Sequence, residues 1–287
     1  MRTPAIAMLV ISCSAWAMVG CSKPLDWPMS PLYGFQEPSA PESFPEDYQA
    51  ALEAVAGHYA HYDVVAYEDL STRTPMRTFV ISYGFTDLFV RDGKLFQSDR
   101  FCHAEQKINQ RGVTSTFRDS SVQAIKPRVA EVELRLVEGR WRLYRPETPT
   151  LLGIAGDPSL PLPKDPYDPN FTDPDEDGHP GVTVGINIGN VVDGEIYITR
   201  REIYSTRATL NADGSITGSV ADRSEQFVIG ASMAILRQES NASQVADPGL
   251  NPVILVPVDD SVDTCEELMA LRDRLFPPEP EFVEPGL

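Results

Sequence analysis

Four acidic residues followed by glycine divide this 287-residue chain into short segments, at Asp92-Gly93, Glu138-Gly139, Asp193-Gly194 and Asp213-Gly214. Such pairs favour the tight turns of β-hairpins, and each lies between runs rich in β-branched and aromatic residues. Before Glu138-Gly139, Val132, Leu134 and Leu136 alternate with charged residues. A period of two is typical of a strand with one buried face, so the turns are predicted to join antiparallel strands.

About ten strands of this kind follow one another, and no helical stretch lies between them. The sequence also has no glycine-rich phosphate-binding loop and no nucleophile elbow, which argues against a βαβ fold. We therefore predict a mainly β protein, an antiparallel barrel or sandwich with short N- and C-terminal helices. The two groups of strands, in residues 45–150 and 182–276, form either one barrel or two smaller sheets.

Helical spacing of apolar residues predicts one helix at each end of this body. Ser43-Phe44-Pro45-Glu46 is typical of a capping box at the start of the first helix. Tyr48, Leu52, Val55 and Tyr59 follow at helical spacing, and Gly57 predicts an end near that point. The last helix is predicted over residues 263–276, with Cys265 on its apolar face and Pro277-Pro278 as its end.

The charge of the chain limits its partners. It has 42 acidic and 24 basic residues, which gives a formal net charge of −18. A surface of this sign repels nucleic acid, so nucleic acid is not an expected partner. Because anionic lipid headgroups are repelled too, any membrane attachment must come from an acyl chain rather than a basic patch. After residue 20, no apolar run is long enough to cross a bilayer.

Residues 1–20 have the pattern of a secretory signal peptide, with Arg2 ahead of an apolar run and a small residue before Cys21. The Met18-Val19-Gly20-Cys21 ending resembles the lipobox of bacterial lipoproteins. The resemblance implies that Cys21 receives a diacylglyceryl group and becomes the mature N-terminus. Cys13 fits the same pattern but leaves a very short apolar run. An ordinary cleaved signal and an N-terminal membrane helix are the alternatives.

Proline-rich segments flank and divide the predicted body. Residues 21–44 are rich in proline and serine, which predicts an extended tether between the lipid and the body. Residues 277–287 contain proline and glutamate and are predicted to form a flexible tail. Residues 151–181, which connect the two groups of strands, are rich in aspartate and proline.

Of the four cysteines, only Cys102 and Cys265 remain after Cys13 leaves with the signal and Cys21 takes the lipid. Outside the cytoplasm two such cysteines usually pair, so we predict a disulfide that ties the first half of the chain to the last helix. Two separate buried thiols are one alternative. A catalytic cysteine is another, although His103 beside Cys102 shows adjacency in sequence only.

Asp173, Asp175 and Asp177 alternate ahead of Gly178 in the connecting segment. Alternating carboxylates before a glycine suit a calcium ion, because the oxygens converge and glycine permits the sharp turn. In this pattern His179 coordinates through its backbone carbonyl. Further candidate ligands are Asp168, Asn170, Asp193 and Glu195.

The match to the helical calcium-binding hand is incomplete, because Val184 stands at the twelfth position, where that loop needs glutamate. The flanking helices are missing from the predicted pattern as well. A plain acidic linker is therefore the alternative. If calcium binds, its predicted role is structural, since it neutralises carboxylates that otherwise repel one another.

His58, His61 and Asp63 together have the composition of a metal site. They straddle a predicted change from helix to strand, and residues three apart on a strand face opposite sides, which argues against a shared ion. The aromatic residues from Tyr59 to Phe89 suit either a ligand cavity or, more commonly, a packed core.

Two stretches resemble a group of predicted Gram-negative envelope lipoproteins of unknown function: residues 173–184, and the strand at Ile196-Tyr197 that leads to Ser224-Glu225-Gln226. The resemblance implies a lipidated envelope protein with a β-rich body and carries over no activity. Because Ser22 rather than aspartate follows Cys21, the sorting of such lipoproteins implies the outer membrane, with either face possible.

The sequence thus favours an outer-membrane lipoprotein that acts as a non-enzymatic binding or envelope-assembly module, with calcium as a structural cofactor. The alternative is a periplasmic or surface hydrolase that uses paired carboxylates. The interior of the body distinguishes the two, because an apolar cavity favours binding and two acids facing a cleft favour hydrolysis. The sequence names neither the ligand nor an envelope partner.

Overall fold

The structure is a computed structural model that describes residues 23–29, 47–71, 74–189, 191–238 and 241–286. Cys21 and the signal segment lie outside these ranges. The helices within them are α1 (Tyr48–Val55), α2 (Asp119–Gln123) and α3 (Cys265–Leu275). The strands are β1 (Gly57–Asp69), β2 (Met76–Arg91), β3 (Lys94–Ile108), β4 (Val113–Phe117), β5 (Val129–Val137), β6 (Arg140–Arg145), β7 (Thr150–Leu152), β8 (Val182–Ile188), β9 (Val192–Glu202), β10 (Tyr204–Leu210), β11 (Ile216–Asp222), β12 (Glu225–Ala231), β13 (Ser243–Gln244) and β14 (Pro252–Pro257).

Eight strands close into an antiparallel barrel in the order β3-β2-β1-β14-β11-β10-β6-β5, with β5 returning to β3. The predicted mainly β, antiparallel fold is confirmed. Strands from both predicted groups contribute to the same barrel, which resolves the choice between one barrel and two sheets. The hydrophobic alternation of β5 and β6 is explained by this closure, since one face of each strand points into the barrel.

The strand β3 belongs both to the barrel and to a lateral extension of the sheet. Its first part pairs with β5, and its second part pairs with β4 at Glu105 and Gln106. Beyond β4 the sheet continues through β8 and β9 to β12, and β7 pairs with β9. The aspartate-rich segment ends against β9 at Gly181, where a β-carbon would lie 2.6 Å from the Ile198 carbonyl oxygen. Only glycine permits that approach.

The barrel interior changes character along its length. At one end, Leu52 and Val55 of α1 are fully buried and pack with Tyr59 of β1, Trp141 of β6 and Leu210 of β10. We call this apolar end, covered by α1, the closed end. Farther along β1 the inward positions hold His61, Asp63 and Val65, and we call this part of the interior the open end.

The outer face of β1 and β2 is buried under α3. Tyr62, Phe79 and Phe85 pack there with Leu268 and Phe276 of the C-terminal region. These aromatic side chains are therefore core residues between the barrel wall and the helix. Both faces of β1 are covered, which explains its nearly continuous burial.

A disulfide joins Cys102 of β3 to Cys265, the first residue of α3, with the two α-carbons 5.2 Å apart. The predicted pairing of these cysteines is confirmed. The helix begins two residues later than the predicted residue 263, because Thr264 and Glu267 form its capping box. Their side chains each accept from the other's backbone N–H, which satisfies two donors at the start of the helix.

The two ends of the described chain pack together on the barrel. Asp26 and Val283 exchange backbone hydrogen bonds of 2.8 and 2.9 Å. The Trp27 ring lies 4.9 Å from the Phe79 ring and 5.2 Å from the Phe282 ring. Residues 23–29 of the predicted tether and much of the predicted 277–287 tail thus lie against the body rather than extending from it.

Several element boundaries differ from the sequence pattern for local reasons. The helix α1 begins at Tyr48, where the Asp47 side chain accepts from the Ala50 N–H; Ser43 lies outside the described ranges. The short helix α2 was not predicted, because five residues show no helical periodicity. No helix in the described part of the chain is both long enough and apolar enough to cross a membrane.

Candidate functional site

A cavity of about 140 Å³ lies at the open end, where the barrel meets the lateral extension. One part of its wall is apolar and comes from both the barrel and the extension. The barrel contributes Val65 and Phe101, and the extension contributes Leu152, Val182 and Ile198. The remaining wall carries buried ionisable side chains. The cavity therefore combines apolar surface with fixed charge, an arrangement typical of ligand-binding sites.

The first ionic group centres on Asp99, which is 6% exposed. Its Oδ1 accepts from the Thr86 hydroxyl at 2.7 Å and from Gln97 Nε2 at 2.8 Å. Its Oδ2 accepts from the Tyr204 hydroxyl at 3.0 Å and lies 3.2 Å from Arg145 Nε. Burial opposes ionisation of Asp99, but the Arg145 charge leads the interactions that hold its pKa below the ordinary value.

His61 is linked to the same group through Thr86. Its Nδ1 lies 2.8 Å from the Thr86 hydroxyl, and its Nε2 lies 2.7 Å from Asp63 Oδ2. Because the hydroxyl already donates its proton to Asp99, it can only accept from His61, and the Asp63 carboxylate also accepts. Both ring nitrogens therefore carry a proton. Burial alone would lower the pKa of His61, but Asp63 and Asp99 raise it above 6.5.

A second ionic group lines the other side of the cavity. Arg200 Nε donates to Glu202 Oε1 at 2.6 Å, and Tyr67 donates its hydroxyl proton to Asp222 Oδ1 at 2.7 Å. The Ser224 hydroxyl lies within hydrogen-bond distance of both Glu202 and Asp222. Burial raises the pKa of Asp222, and the nearby Glu202 charge raises it further.

The mouth of the cavity carries two exposed cations, Lys126 and Arg128, which follow α2. Neither forms an ion pair with any residue in the described ranges. Several other cations are neutralised in place, such as Arg77 by Glu68 and Lys107 by Glu279. Lys126 and Arg128 lie together beside an apolar cavity, and this pair forms an attractive site for an anion.

The structure brings together the three aspartates predicted to bind calcium. One carboxylate oxygen from each of Asp173, Asp175 and Asp177 lies within 4.8 Å of the others. Asp173 also orders the turn, since its Oδ1 and Oδ2 accept from the N–H groups of Asp177 and Gly178. Asp177 Oδ1 accepts from the His179 N–H at 2.9 Å.

Asp175 is the buried member of this group, with 8% of its surface exposed. Its Oδ2 accepts from the Ser121 hydroxyl at 2.8 Å and from the Thr183 N–H at 3.0 Å. Its Oδ1 has no hydrogen-bond partner. A buried carboxylate oxygen without a donor is costly, and a cation is one group that would satisfy it.

Arg118, whose side chain is half-exposed, supplies positive charge to the aspartates. Its Nη1 lies 2.9 Å from Asp177 Oδ2, and its Nη2 lies 3.2 Å from Glu195 Oε1. Burial opposes ionisation of Asp177, but the Thr183 hydroxyl, the His179 N–H and the Arg118 charge together hold its pKa below the ordinary value.

The remaining predicted site residues lie as follows. The His179 ring stacks on the Tyr197 ring, with the two ring centroids 4.3 Å apart. The imidazole is therefore not positioned as a metal ligand. Asp168 Oδ1 accepts from Asn170 within its own turn. Asp193 is exposed in the β8–β9 ladder, opposite Asn187. Val184 is buried, and Glu195 is the one additional candidate joined to the aspartates, through Arg118.

Sequence reasoning missed the charged part of the cavity. His61 and Asp63 were considered as a metal site with His58, and the structure places His58 on the opposite face of β1, stacked on Phe85. The available signal was the alternation itself, because His61 and Asp63 occupy the inward positions between Tyr59 and Val65. Charged residues at inward positions of a strand indicate either a site or a structural ion pair.

Comparisons of this chain with protein-family models, with curated proteins and with solved structures find no match.

Proposed function

We propose that this protein is a lipid-anchored binding module whose open-end cavity holds a small anionic amphiphile, a molecule with a short apolar body and an acidic headgroup. The observation that carries the proposal is the placement of Lys126 and Arg128 at the mouth of a cavity with an apolar wall. In this pose the headgroup meets the two cations and the apolar body contacts Val65, Leu152 and Ile198.

The size of the cavity limits the ligand. A volume of about 140 Å³ is close to that of apolar cavities of about 150 Å³ that hold benzene in other proteins. A chain of about six to eight carbon atoms is therefore the appropriate length, with the headgroup outside. Larger lipids would leave most of their chain exposed, so a whole phospholipid is a poor fit.

The ionic groups support binding over hydrolysis. Both ring nitrogens of His61 are engaged, and both oxygens of Asp99 accept hydrogen bonds. Glu202 is held by Arg200. A hydrolase would need one acid and one base directed at a bound molecule, and these groups are directed at one another. One observation favours the hydrolase alternative: Glu202 and Asp222 both line the cavity, and against burial the Arg200 charge lowers the pKa of Glu202 while burial raises the pKa of Asp222. Their oxygens are nevertheless engaged by Arg200, Tyr67 and Ser224, which supports binding.

The proposal keeps the outer membrane as the location and the acyl chains on Cys21 as the anchor. Its support is the lipobox pattern in the sequence. Residues 23–29 pack against the barrel, so an anchor at Cys21 would hold the body close to the bilayer surface. Calcium at Asp173, Asp175 and Asp177 is part of the proposal as a structural ion, supported by their proximity and the unpaired Asp175 oxygen.

A chain-matched set of ligands tests the proposed binding function. Isothermal titration calorimetry would compare octanoate, octan-1-ol and octylammonium, which share one chain and differ in headgroup charge. We expect octanoate to bind most tightly and octylammonium least tightly, because only the anion satisfies Lys126 and Arg128. Equal affinity for the three, or no binding of octanoate, would refute the anionic part of the proposal.

Charge reversal at the mouth provides the matched variants. The double variant Lys126→Glu with Arg128→Glu should weaken octanoate binding by about tenfold, since each exposed ion pair is worth up to about 1 kcal/mol. Lys164→Glu makes a similar change at an exposed lysine that does not line the cavity and should leave the affinity unchanged. An equal effect of both changes would show a general charge effect instead.

A further inference from the structure

We infer that a divalent cation on the aspartate loop and a ligand in the cavity bind cooperatively, with α2 as the element they share. This inference rests on the proposed function, because it assigns a regulator to the same cavity. It goes beyond a structural ion, since it predicts that calcium changes ligand affinity. The coupling has three parts: a cation site on the aspartate loop, the Arg118 side chain that competes with the cation, and a contact that carries the effect of the cation to the cavity wall.

The cation site stands on more than the clustering of three acids. Asp175 is more than nine-tenths buried, and its Oδ1 has no hydrogen-bond partner. One oxygen each from Asp173 and Asp177 lies within 4.8 Å of an Asp175 oxygen. Calcium takes six to eight oxygen ligands in flexible geometry, so three carboxylates completed by water or backbone carbonyls suit it. Magnesium demands a regular octahedral shell and should bind more weakly.

The guanidinium of Arg118 occupies part of the aspartate site, and calcium displaces it. The guanidinium lies against Asp177 Oδ2 and Glu195 Oε1, while 47% of the side chain is exposed to solvent. The exposed guanidinium can therefore move into water when an ion takes the Asp177 oxygen. Because Arg118 is the residue before α2, its release and the new ion both act at the start of that helix.

The transmitting contact is the hydrogen bond from Ser121 to Asp175. Ser121 and Val122 of α2 line the cavity, as do Ile125 and the two mouth cations that follow it. An ion that fixes Asp175 therefore fixes the hydrogen-bond acceptor of Ser121 and so restrains this wall. A ligand that contacts an already ordered wall loses less conformational entropy when it binds, which gives positive cooperativity.

The first and last residues of α2 are already held to the barrel. Gln123 Nε2 donates to the Cys102 carbonyl oxygen at 3.1 Å, and His103 Nδ1 lies 2.7 Å from Asp119 Oδ1. The helix is thus fixed to β3 on one side and connected to the aspartate loop on the other. Only the loop side changes when an ion binds, so the effect is directed at the cavity wall.

The experiment titrates octanoate into chelator-treated full-length mature protein with and without about 5 mM calcium, near the upper end for extracellular calcium sites. We expect calcium to tighten octanoate binding by about fivefold or more, the usual lower range of coupling between sites. By reciprocity, saturating octanoate must tighten calcium binding by the same factor. Magnesium at the same concentration serves as the ion control.

Three variants separate the steps. Asp175→Asn should abolish the calcium effect. Arg118→Gln should raise calcium affinity by up to about fivefold, because it removes a competing half-exposed ion pair. Ser121→Ala should allow both ligands to bind while bringing the coupling factor close to one. Ser71→Ala is the matched control, since it removes a hydroxyl bond to the buried Asp69 outside both sites.

Backbone NMR shifts of Val122 and Ile125 provide a readout that does not need octanoate. Calcium-induced shifts at both residues, lost in Ser121→Ala, support the coupling. Calcium binding without these shifts and without a change in octanoate affinity would overturn it. Failure of calcium to bind would overturn the cation site. If calcium binds and shifts both residues while octanoate does not bind, the proposed ligand is wrong and the ion's action on α2 stands.

Discussion

The closed and open ends of the barrel are built from the same eight strands and are filled by opposite kinds of side chain. The closed end packs Leu52, Trp141 and Leu210 into an apolar cluster. The open end buries Asp99 and Arg145 at 6% and 2% exposure. Folding alone does not require the second arrangement, because a buried ion pair is often no more stabilising than apolar residues of the same volume.

Under the proposed function, the closed end stabilises the fold and the open end serves a ligand. Apolar burial stabilises by roughly 25 cal/mol per Å², without directional demands. Buried charges cost free energy unless each is paired and hydrogen-bonded, so they persist where position matters. Placing the cavity beside the charged groups rather than the apolar cluster gives the ligand fixed polar surroundings.

The largest expected effect is at the open end. Arg145→Met leaves Asp99 buried without its cation and should lower the free energy of unfolding by about 3–5 kcal/mol. The double variant Asp99→Leu with Arg145→Met removes both charges, so its free energy of unfolding should fall much less. Urea denaturation of both variants measures the difference. A double variant as unstable as the single one would show that the pair stabilises the barrel in its own right.

The closed end should respond differently. Leu52→Ala creates a cavity at a fully buried position and should cost about 2–5 kcal/mol, while octanoate binding is unchanged in the remaining folded protein. Tyr48→Ala, on the same helix but 42% exposed, should cost much less. Denaturation and calorimetry of the two variants check this. If fully folded Leu52→Ala protein bound octanoate more weakly, the closed end would also contribute to binding, and the separation of roles between the two ends would be wrong.

The smallest expected effect is a pH dependence from His61. Since its pKa in the folded protein lies above 6.5, the stabilisation from its proton is complete below that pH and is lost as pH rises through the folded pKa. The free-energy advantage of the native protein over His61→Gln should therefore fall above pH 6.5, by at most about 1.4 kcal/mol per pH unit. Asp63→Asn removes one cause of the raised pKa of His61 and should therefore reduce this pH dependence. If the native protein kept a constant free-energy advantage over His61→Gln up to pH 9, the prediction would be wrong.

The parts of the fold that depend on local sequence were predictable. The pair of β5 and β6 was predicted, because the alternation of apolar and charged residues and the Glu138-Gly139 turn are local signals. The proximity of Asp173, Asp175 and Asp177 was predictable for the same reason, since a single turn brings them together. The disulfide was predicted from the number of cysteines and from the export that the signal-like residues 1–20 predict.

The cavity could not be predicted in the same way, because its residues come from distant strands. His61 is on β1, Asp99 on β3, Arg145 on β6 and Tyr204 on β10, and only barrel closure brings them together. That closure depends on the pairing of β5 with β3, a long-range contact without a sequence signal. The helix α2 escaped detection because it is shorter than two helical turns.

Intermolecular NMR contacts between octanoate and the barrel interior test most directly the claim that the open end is the binding end. With methyl-labelled protein, nuclear Overhauser effects from the octanoate chain should reach the methyl groups of Val65 and Ile198 and should be absent at Leu52 and Leu210. Contacts at Leu52 and Leu210, or none at Val65 and Ile198 under saturating octanoate, would contradict the account.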